Sequence, residues 1–316
     1  MDDAALKNRE AVKGPDSTDL PWRVSNDLAS WYLVASSSEL PEGQVQSARV
    51  GENEVVLYRA EGKVRALDPY CSHMGARLCH GGVKNGLLTC PLHGWQYKGD
   101  GSVAGGTQRI RSWPVVERMG GILVFNGREP LFEPPPEQSE YHWSSTSSSL
   151  LDTPWFALTA NAFDTHHYEA VHRRRLKEPP TITEPDQWTF SCSYLSEVTG
   201  NEVSDRMMRW LAPEGINVTM TCYGGVLFTV KSTVGRRQAS LMVGMEPRKD
   251  QTVLRLQVGS RGRGLQAVLA RYLYTSFLKS DLKPMSGVRL QPYTGLAVDA
   301  TIERFARYLE GLPTSP

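Results

Sequence analysis

The first third of the chain carries its apolar residues in short runs. Residues 31–35, 54–58, 64–67, 86–89 and 122–125 each read as a strand, and glycine-rich turns separate them. Short strands at close spacing predict a small all-β domain. Residues 1–27 carry no such run and read as a loosely ordered tail, so the β domain is placed at 28–128. Pro134, Pro135 and Pro136 then follow one another, and consecutive prolines continue neither a ladder nor a helix. A serine-rich run over 144–149 extends this irregular region, which gives a linker over 129–150.

From 151 to 316 the pattern changes. A helical segment is expected over 161–173, strand-like alternation over 188–198, 216–233, 238–246 and 252–259, and a helix near 264–283. Ile302, Phe305, Ala306 and Leu309 share one face of a closing helix that Asp299 caps and Gly311 ends. The expected class is therefore α+β: a small β domain followed by a larger domain of helices and antiparallel sheet.

Composition adds limits. The chain is 40% hydrophobic and 22% charged over 316 residues, enough for a real core, and its formal charge of +1 gives no reason to expect nucleic acid or a membrane as partner. The polar start has no apolar leader, and no run approaches a membrane span. Five cysteines, at 71, 79, 90, 192 and 222, are an odd number widely spread, which suits a reducing cytoplasm better than a disulfide framework.

Four of the cysteine and histidine residues form a pattern: Cys71-x-His73 and, after sixteen intervening residues, Cys90-x-x-His93. Two thiolates and two imidazoles suit either structural zinc or a two-iron cluster. Zinc fingers place both cysteines before both histidines. Here each loop gives one of each, so each loop can serve both irons, with Cys71 and Cys90 on one and His73 and His93 on the other. Gly75, Gly81, Gly82, Gly86 and Gly94 permit tight loops around a cofactor. Cys79 and His80 have no spacing partner and read as bystanders.

The segments 71–78 and 90–97 resemble the two cluster loops of Rieske non-haem iron oxygenases. Respiratory Rieske proteins carry an extra cysteine in each loop. Ala76 and Leu92 stand there instead, which favours the oxygenase branch.

A second constellation runs Asn161-x-x-Asp164-x-x-His167-x-x-x-x-His172. Alone it is weak, since helical positions five apart diverge by roughly 140° and a π-type bulge would be needed to bring the histidines together. Asp164 and His167 are neighbours one turn apart, so the carboxylate can hold the imidazole. A solvated polar helix turn is the plain alternative. Beside the Rieske-like loops, the pattern is similar to the mononuclear iron motif of the same oxygenases, in which His166 is outside the ligand set. A third, carboxylate ligand is expected late in the chain, at the start of a helical segment; Asp281 in the stretch 280–285 resembles it, although Ser280 replaces the usual acidic neighbour. Asp299 and Glu303 are rivals.

The resemblance implies a Rieske β domain joined to a helix-grip-like catalytic domain, a [2Fe–2S] cluster, a mononuclear Fe(II), and a homotrimer of the mono-oxygenase or demethylase branch. In such trimers electrons cross a subunit interface from the His93 side of one cluster through Asp164 to the neighbour's iron, where O₂ and a small organic substrate react. No dinucleotide fingerprint is present in the sequence, so a separate ferredoxin and/or NAD(P)H-dependent reductase is expected. The rival readings are a Rieske electron carrier without catalytic iron and a zinc-stabilised structural module. Trp188, Phe190, Trp210, Tyr223 and Phe228 are candidate substrate-pocket walls.

Overall fold

A computed structural model describes residues 22–146 and 148–315. Most of the expected tail, residues 1–21, lies outside the described residues, as does Ser147 of the serine-rich run. Trp22–Asp27 are held in place: the Trp22 indole donates to Glu310 at 2.7 Å and meets the Phe156 ring edge-on, and Arg23 pairs with Asp250 at 3.0 Å.

The N-terminal strands are β1 (Trp31–Ser36), β2 (Val45–Val50), β3 (Asn53–Ala60), β4 (Lys63–Leu67), β5 (Gly82–Lys84), β6 (Leu87–Thr89), β7 (Gln96–Tyr97), β8 (Ser112–Trp113), β9 (Val115–Arg118) and β10 (Gly121–Phe125). They form three small antiparallel sheets, ordered β1-β10-β9, β2-β3-β4-β8 and β5-β6-β7. The last of these holds the cluster loops. Its core is small and separate, built on Val56, Tyr58, Leu67, Leu78, Leu88 and Tyr97.

The second region contains β11 (His142–Ser145), β12 (Ser149–Leu151), α1 (Trp155–Phe163), α2 (His167–His172), β13 (Arg174–Leu176), β14 (Thr181–Asp186), β15 (Thr189–Val198), α3 (Val203–Leu211), β16 (Ile216–Tyr223), β17 (Leu227–Val234), β18 (Arg237–Arg248), β19 (Gln251–Ser260), α4 (Leu265–Met285) and α5 (Ala300–Glu310). Its strands make one nine-stranded antiparallel sheet with β15 to β19 consecutive at its centre. The expected α+β architecture is what is found. One part differs: the serine-rich run is flanked and partly taken up by strands, because β11 and β12 both pair with β19 and extend the sheet. Serine hydroxyls and Trp143 fit a half-exposed edge strand, a role that composition alone hides.

The two regions share a core. Leu33 of β1 lies against β18, where a Cβ on Gly244 would come within 2.4 Å of the Leu33 Cβ, so only glycine admits this approach. On the other side Phe163 of α1 stacks on Phe305 of α5 at 4.5 Å, with Phe190 of β15 edge-on to both. This fixes α1, and with it the short segment that follows.

α4 lies across the sheet. The Tyr274 hydroxyl bonds with Ser232 of β17 at 2.7 Å and donates to the Ala239 carbonyl of β18 at 3.1 Å. At its far end Thr153 donates to the Met285 carbonyl at 2.8 Å, and the Gly287 N–H to the Asp152 carbonyl at 2.9 Å. These tethers set where Asp281 stands.

Candidate metal centres

The two cluster loops fold alike. Cys71 N–H donates to the Ala76 carbonyl at 2.9 Å, and Cys90 N–H to the Trp95 carbonyl at 2.8 Å. Gly75 and Gly94 return N–H bonds to the Cys71 and Cys90 carbonyls, at φ of +73° and +70°, where a side chain would be strained. Both cysteines are buried and both histidines exposed at the tips. The His73 and His93 rings meet edge to face at 4.8 Å, and His73 stacks on Trp95 at 4.7 Å.

Sequence reasoning missed Tyr97. Its hydroxyl lies 3.1 Å from Cys71 Sγ and receives the Ser72 N–H at 3.0 Å. Burial pushes the Cys71 thiol up, but bonds from Tyr97, from the His73 and Met74 N–H groups and from Cys90 outweigh it and lower its pKa. Cys192 and Cys222 are the opposite case: burial pushes both up to about 12, for Cys192 without any donor and for Cys222 despite the Tyr308 hydroxyl at 3.9 Å and the Gly225 N–H, so they are inert core thiols. Cys79 is half-buried and His80 exposed, both in the 3₁₀ turn Leu78–His80, away from the pairing of the loops.

The second centre begins where α1 stops. Asp164 caps α1 in an extended conformation, and its Oδ1 takes the His166 N–H at 2.8 Å. An aspartate bonding its own backbone two residues on competes with helix, so the expected helix over 161–173 breaks at 164–166. α2 then runs from His167 to His172 and ends at Arg173 in the left-handed region, φ 55°. No π-type bulge is present. α2 is a plain α-helix, and the imidazole side chains bridge the angular gap: their Nε2 atoms lie 3.2 Å apart.

Asp281 joins them. Its Oδ1 is 3.1 Å from His172 Nε2 and 3.7 Å from His167 Nε2. It stands in the closing turns of α4, not at a helix start, because the helix continues through Pro284 to Met285. Asp299 and Glu303 do not reach the site; Asp299 accepts a bond from Thr294, and Glu303 accepts the Gly295 N–H. His166 is exposed. Asn161 lines the adjoining cavity from α1.

The donor set fits a metal. Ligands bonded at about 2.1 Å and at right angles to each other stand about 3 Å apart, close to the spacings here. Two imidazoles and one carboxylate on a single face are the ligand type that suits non-haem Fe(II). Among the described residues only these three gather their ligating atoms within 4.8 Å.

Each imidazole has an outer partner. Asp164 Oδ2 lies 3.3 Å from His167 Nδ1. Burial raises the Asp164 pKa, but contact with His167 and the His166 N–H outweigh it, so it falls below the ordinary value and the carboxylate stays ionised near neutrality. His172 has Ser280 Oγ at 3.0 Å from Nδ1 and Phe277 stacked on its ring at 3.7 Å.

The site opens into a cavity of about 360 Å³ between α4 and the sheet, with apolar walls from Leu158, Met220, Val230, Leu241 and Phe277 among others. Of the expected pocket walls only Phe228 lines it. Phe190 is core, Trp188 stacks on Phe132, and Trp210 is exposed on α3. Tyr223 lies beyond the cavity, at the Leu227 end of the β16–β17 hairpin.

Residues 30–114 match the family model of the Rieske [2Fe-2S] domain. The chain is similar in structure to Pseudomonas putida CBB5 NdmA with caffeine, at 17% identity and TM-score 0.71, covering 89% of each chain. It is also similar to dicamba monooxygenase bound to dicamba, at 19% identity and TM-score 0.67, covering 91% of this chain and 97% of the other. The chain has a Rieske [2Fe–2S] domain and the two-domain fold of the Rieske oxygenases. The family match is to a [2Fe–2S] domain, and His167, His172 and Asp281 form a group that could hold a separate metal ion. Among curated relatives it is similar to cholesterol 7-desaturase nvd of Bombyx mori, 29% identical over 65% of this chain and 51% of that protein. It is also similar to the probable oxygenase component of 3-ketosteroid-9-alpha-monooxygenase of Rhodococcus rhodochrous, 30% identical over 45% of this chain and 40% of that protein. The chain spans about half the length of these relatives or less. No helix among the described residues is long and apolar enough to cross a membrane.

Proposed function

We propose that this chain is the oxygenase component of a Rieske oxygenase that uses O₂ and externally supplied electrons to hydroxylate, or oxidatively demethylate, an apolar organic substrate. Cys71 and Cys90 hold one cluster iron, His73 and His93 the other, and His167, His172 and Asp281 hold the mononuclear Fe(II). The observation that carries the reading is the gathering of His167, His172 and Asp281 on the wall of an apolar cavity. A pure electron carrier has no use for either.

When bound, the mononuclear iron supplies the O₂-activating centre, with electrons arriving from the Rieske cluster. The chain does the rest. The cavity walls desolvate the substrate and hold it beside the ligand face. Asn161 offers a polar group at that wall. Asp164 holds the His167 ring and stays anionic, which suits it to bridge towards a neighbouring subunit's His93 in a homotrimer. Electrons come from a ferredoxin and/or NAD(P)H-dependent reductase.

The names of the steroid-acting relatives, together with the apolar cavity, favour a fused-ring substrate of steroid size. The 7-desaturase similarity supports a second outcome at the same site, desaturation. One experiment separates them. The dithionite-reduced protein is mixed with ¹⁸O₂ and androst-4-ene-3,17-dione in a single turnover. A product with one ¹⁸O supports mono-oxygenation, and a dehydrogenated product without ¹⁸O supports desaturation. Absence of any product from a panel of steroids, with both metal sites filled, contradicts the substrate class.

A further inference from the structure

The cavity is polarised along its length. At one end lies Asp281. Among the described residues it is the one carboxylate in the lining, and it belongs to the metal site. At the other end the lining includes Arg236, Arg237 and Arg261. Two measures place these ends far apart. Along α4 the lining runs from Asp281 back to Leu269, about 18 Å of helix axis. Along β17, Val230 pairs with Met220, whose sulfur is 3.8 Å from the Tyr168 hydroxyl beside the histidines; from Val230 to the turn at 235–236 is about 17 Å of strand. The Tyr274–Ser232 bond, at 2.7 Å, ties helix and strand midway, so the two measures follow one channel.

Two of the arginines at the mouth are free. Arg174, also in the lining, is committed to Asp205 at 3.3 Å. Arg236 and Arg237 make no ion pair and no side-chain hydrogen bond with any described residue, whereas Arg261 is engaged by the Tyr141 side chain, 5.9 Å from its ring centre. A hairpin turn carrying two adjacent unpaired guanidiniums at the end of an apolar channel presents a planar donor fork to whatever emerges there.

Resting on the oxygenase reading, we propose that the substrate is an elongated apolar molecule with a carboxylate at the end remote from the oxidised carbon, held by Arg236 and Arg237. The apolar body fills the channel, and the charged end stays at the mouth, where water still reaches it. Binding end-on fixes which carbon meets the metal site. A neutral molecule of the same shape enters the channel but lacks the anchor.

The test is calorimetric binding of 5β-cholan-24-oic acid and of its primary amide to the full chain with both metal sites loaded. The acid is expected to bind about ten-fold tighter than the amide at low salt, with the advantage shrinking as salt rises. In Arg236→Gln/Arg237→Gln the advantage falls to about two-fold or less, while amide binding is unchanged. Equal binding of acid and amide, binding of neither, or a preference that survives the double substitution overturns the proposal. If the substitution instead impairs reduction by a ferredoxin and leaves the preference intact, the arginines serve partner docking and the proposal is wrong. Cluster spectrum and iron content of the same samples test the oxygenase reading separately. A chain lacking the mononuclear iron but keeping the arginine-dependent preference contradicts that reading and leaves only the carboxylate anchor at Arg236 and Arg237 standing.

Discussion

Ser280 fixes the tautomer of His172. The Ser280 hydroxyl donates its proton to the Phe277 carbonyl at 2.5 Å, so towards His172 Nδ1, at 3.0 Å, it can only accept. Nδ1 therefore carries the hydrogen, and the Nε2 lone pair faces His167 and Asp281, as a metal ligand requires. The serine thus fills by a neutral hydrogen bond a place that an acidic residue holds in the motif it resembles. We predict that Ser280→Ala weakens Fe(II) binding by about ten-fold while leaving the Rieske spectrum unchanged. Titration of metal-free protein with Fe(II), or with Co(II) read by its visible bands, measures this. Unaltered affinity would mean that stacking on Phe277 alone orients the ring.

Asp281→Ala should remove the mononuclear iron and all oxygenation but spare the cluster, since it deletes the one anionic ligand. Iron analysis beside the cluster spectrum checks it. Full iron content and turnover would place the carboxylate elsewhere.

Asp164→Asn should abolish turnover with both metal sites still filled. Asparagine keeps the size and can still accept the His166 N–H, but it loses the charge that stabilises an imidazole. Single-turnover reduction followed by O₂ reads the outcome. Normal re-oxidation of the cluster coupled to product would exclude a relay role, and parallel loss of fold and metal would make Asp164 a structural cap alone.

Tyr97→Phe should lower the cluster potential by on the order of tens of millivolts, because a hydroxyl bonded to a ligand sulfur stabilises the reduced, more negative cluster. Protein-film voltammetry measures the shift. An unchanged potential would reduce the 3.1 Å contact with Cys71 to simple packing.

The parts of the site legible in the sequence are those whose chemistry is written over a few residues. Cys71 with His73, Cys90 with His93, and Asp164 with His167 and His172 are such sets, because one loop or one turn carries each group. What escaped depends on tertiary placement. Tyr97 reaches Cys71 only because β7 folds back beside the first loop. Ser280 read as a defect in a motif until α4 set it against His172. The helix break at Asp164 was hidden because apolar periodicity persists across it, and aspartate's competition for backbone N–H groups decided the matter. The edge strands β11 and β12 were hidden by serine, whose composition signals a loop while pairing with β19 makes a strand. Aromatic residues in the sheet proved a poor guide to the cavity: Phe190 faces the core, and Phe228 alone of the five faces the site.

The central claim is that one chain joins a Cys₂His₂ two-iron cluster to a separate iron on two histidines and an aspartate. Metal and sulfide analysis combined with redox titration tests it most directly. The account predicts about three irons and two acid-labile sulfides per chain, with a cluster potential above roughly −150 mV, since imidazole in place of thiolate raises it from about −400 mV. A colourless protein with zinc and no sulfide, or a cluster titrating near about −400 mV, would contradict it.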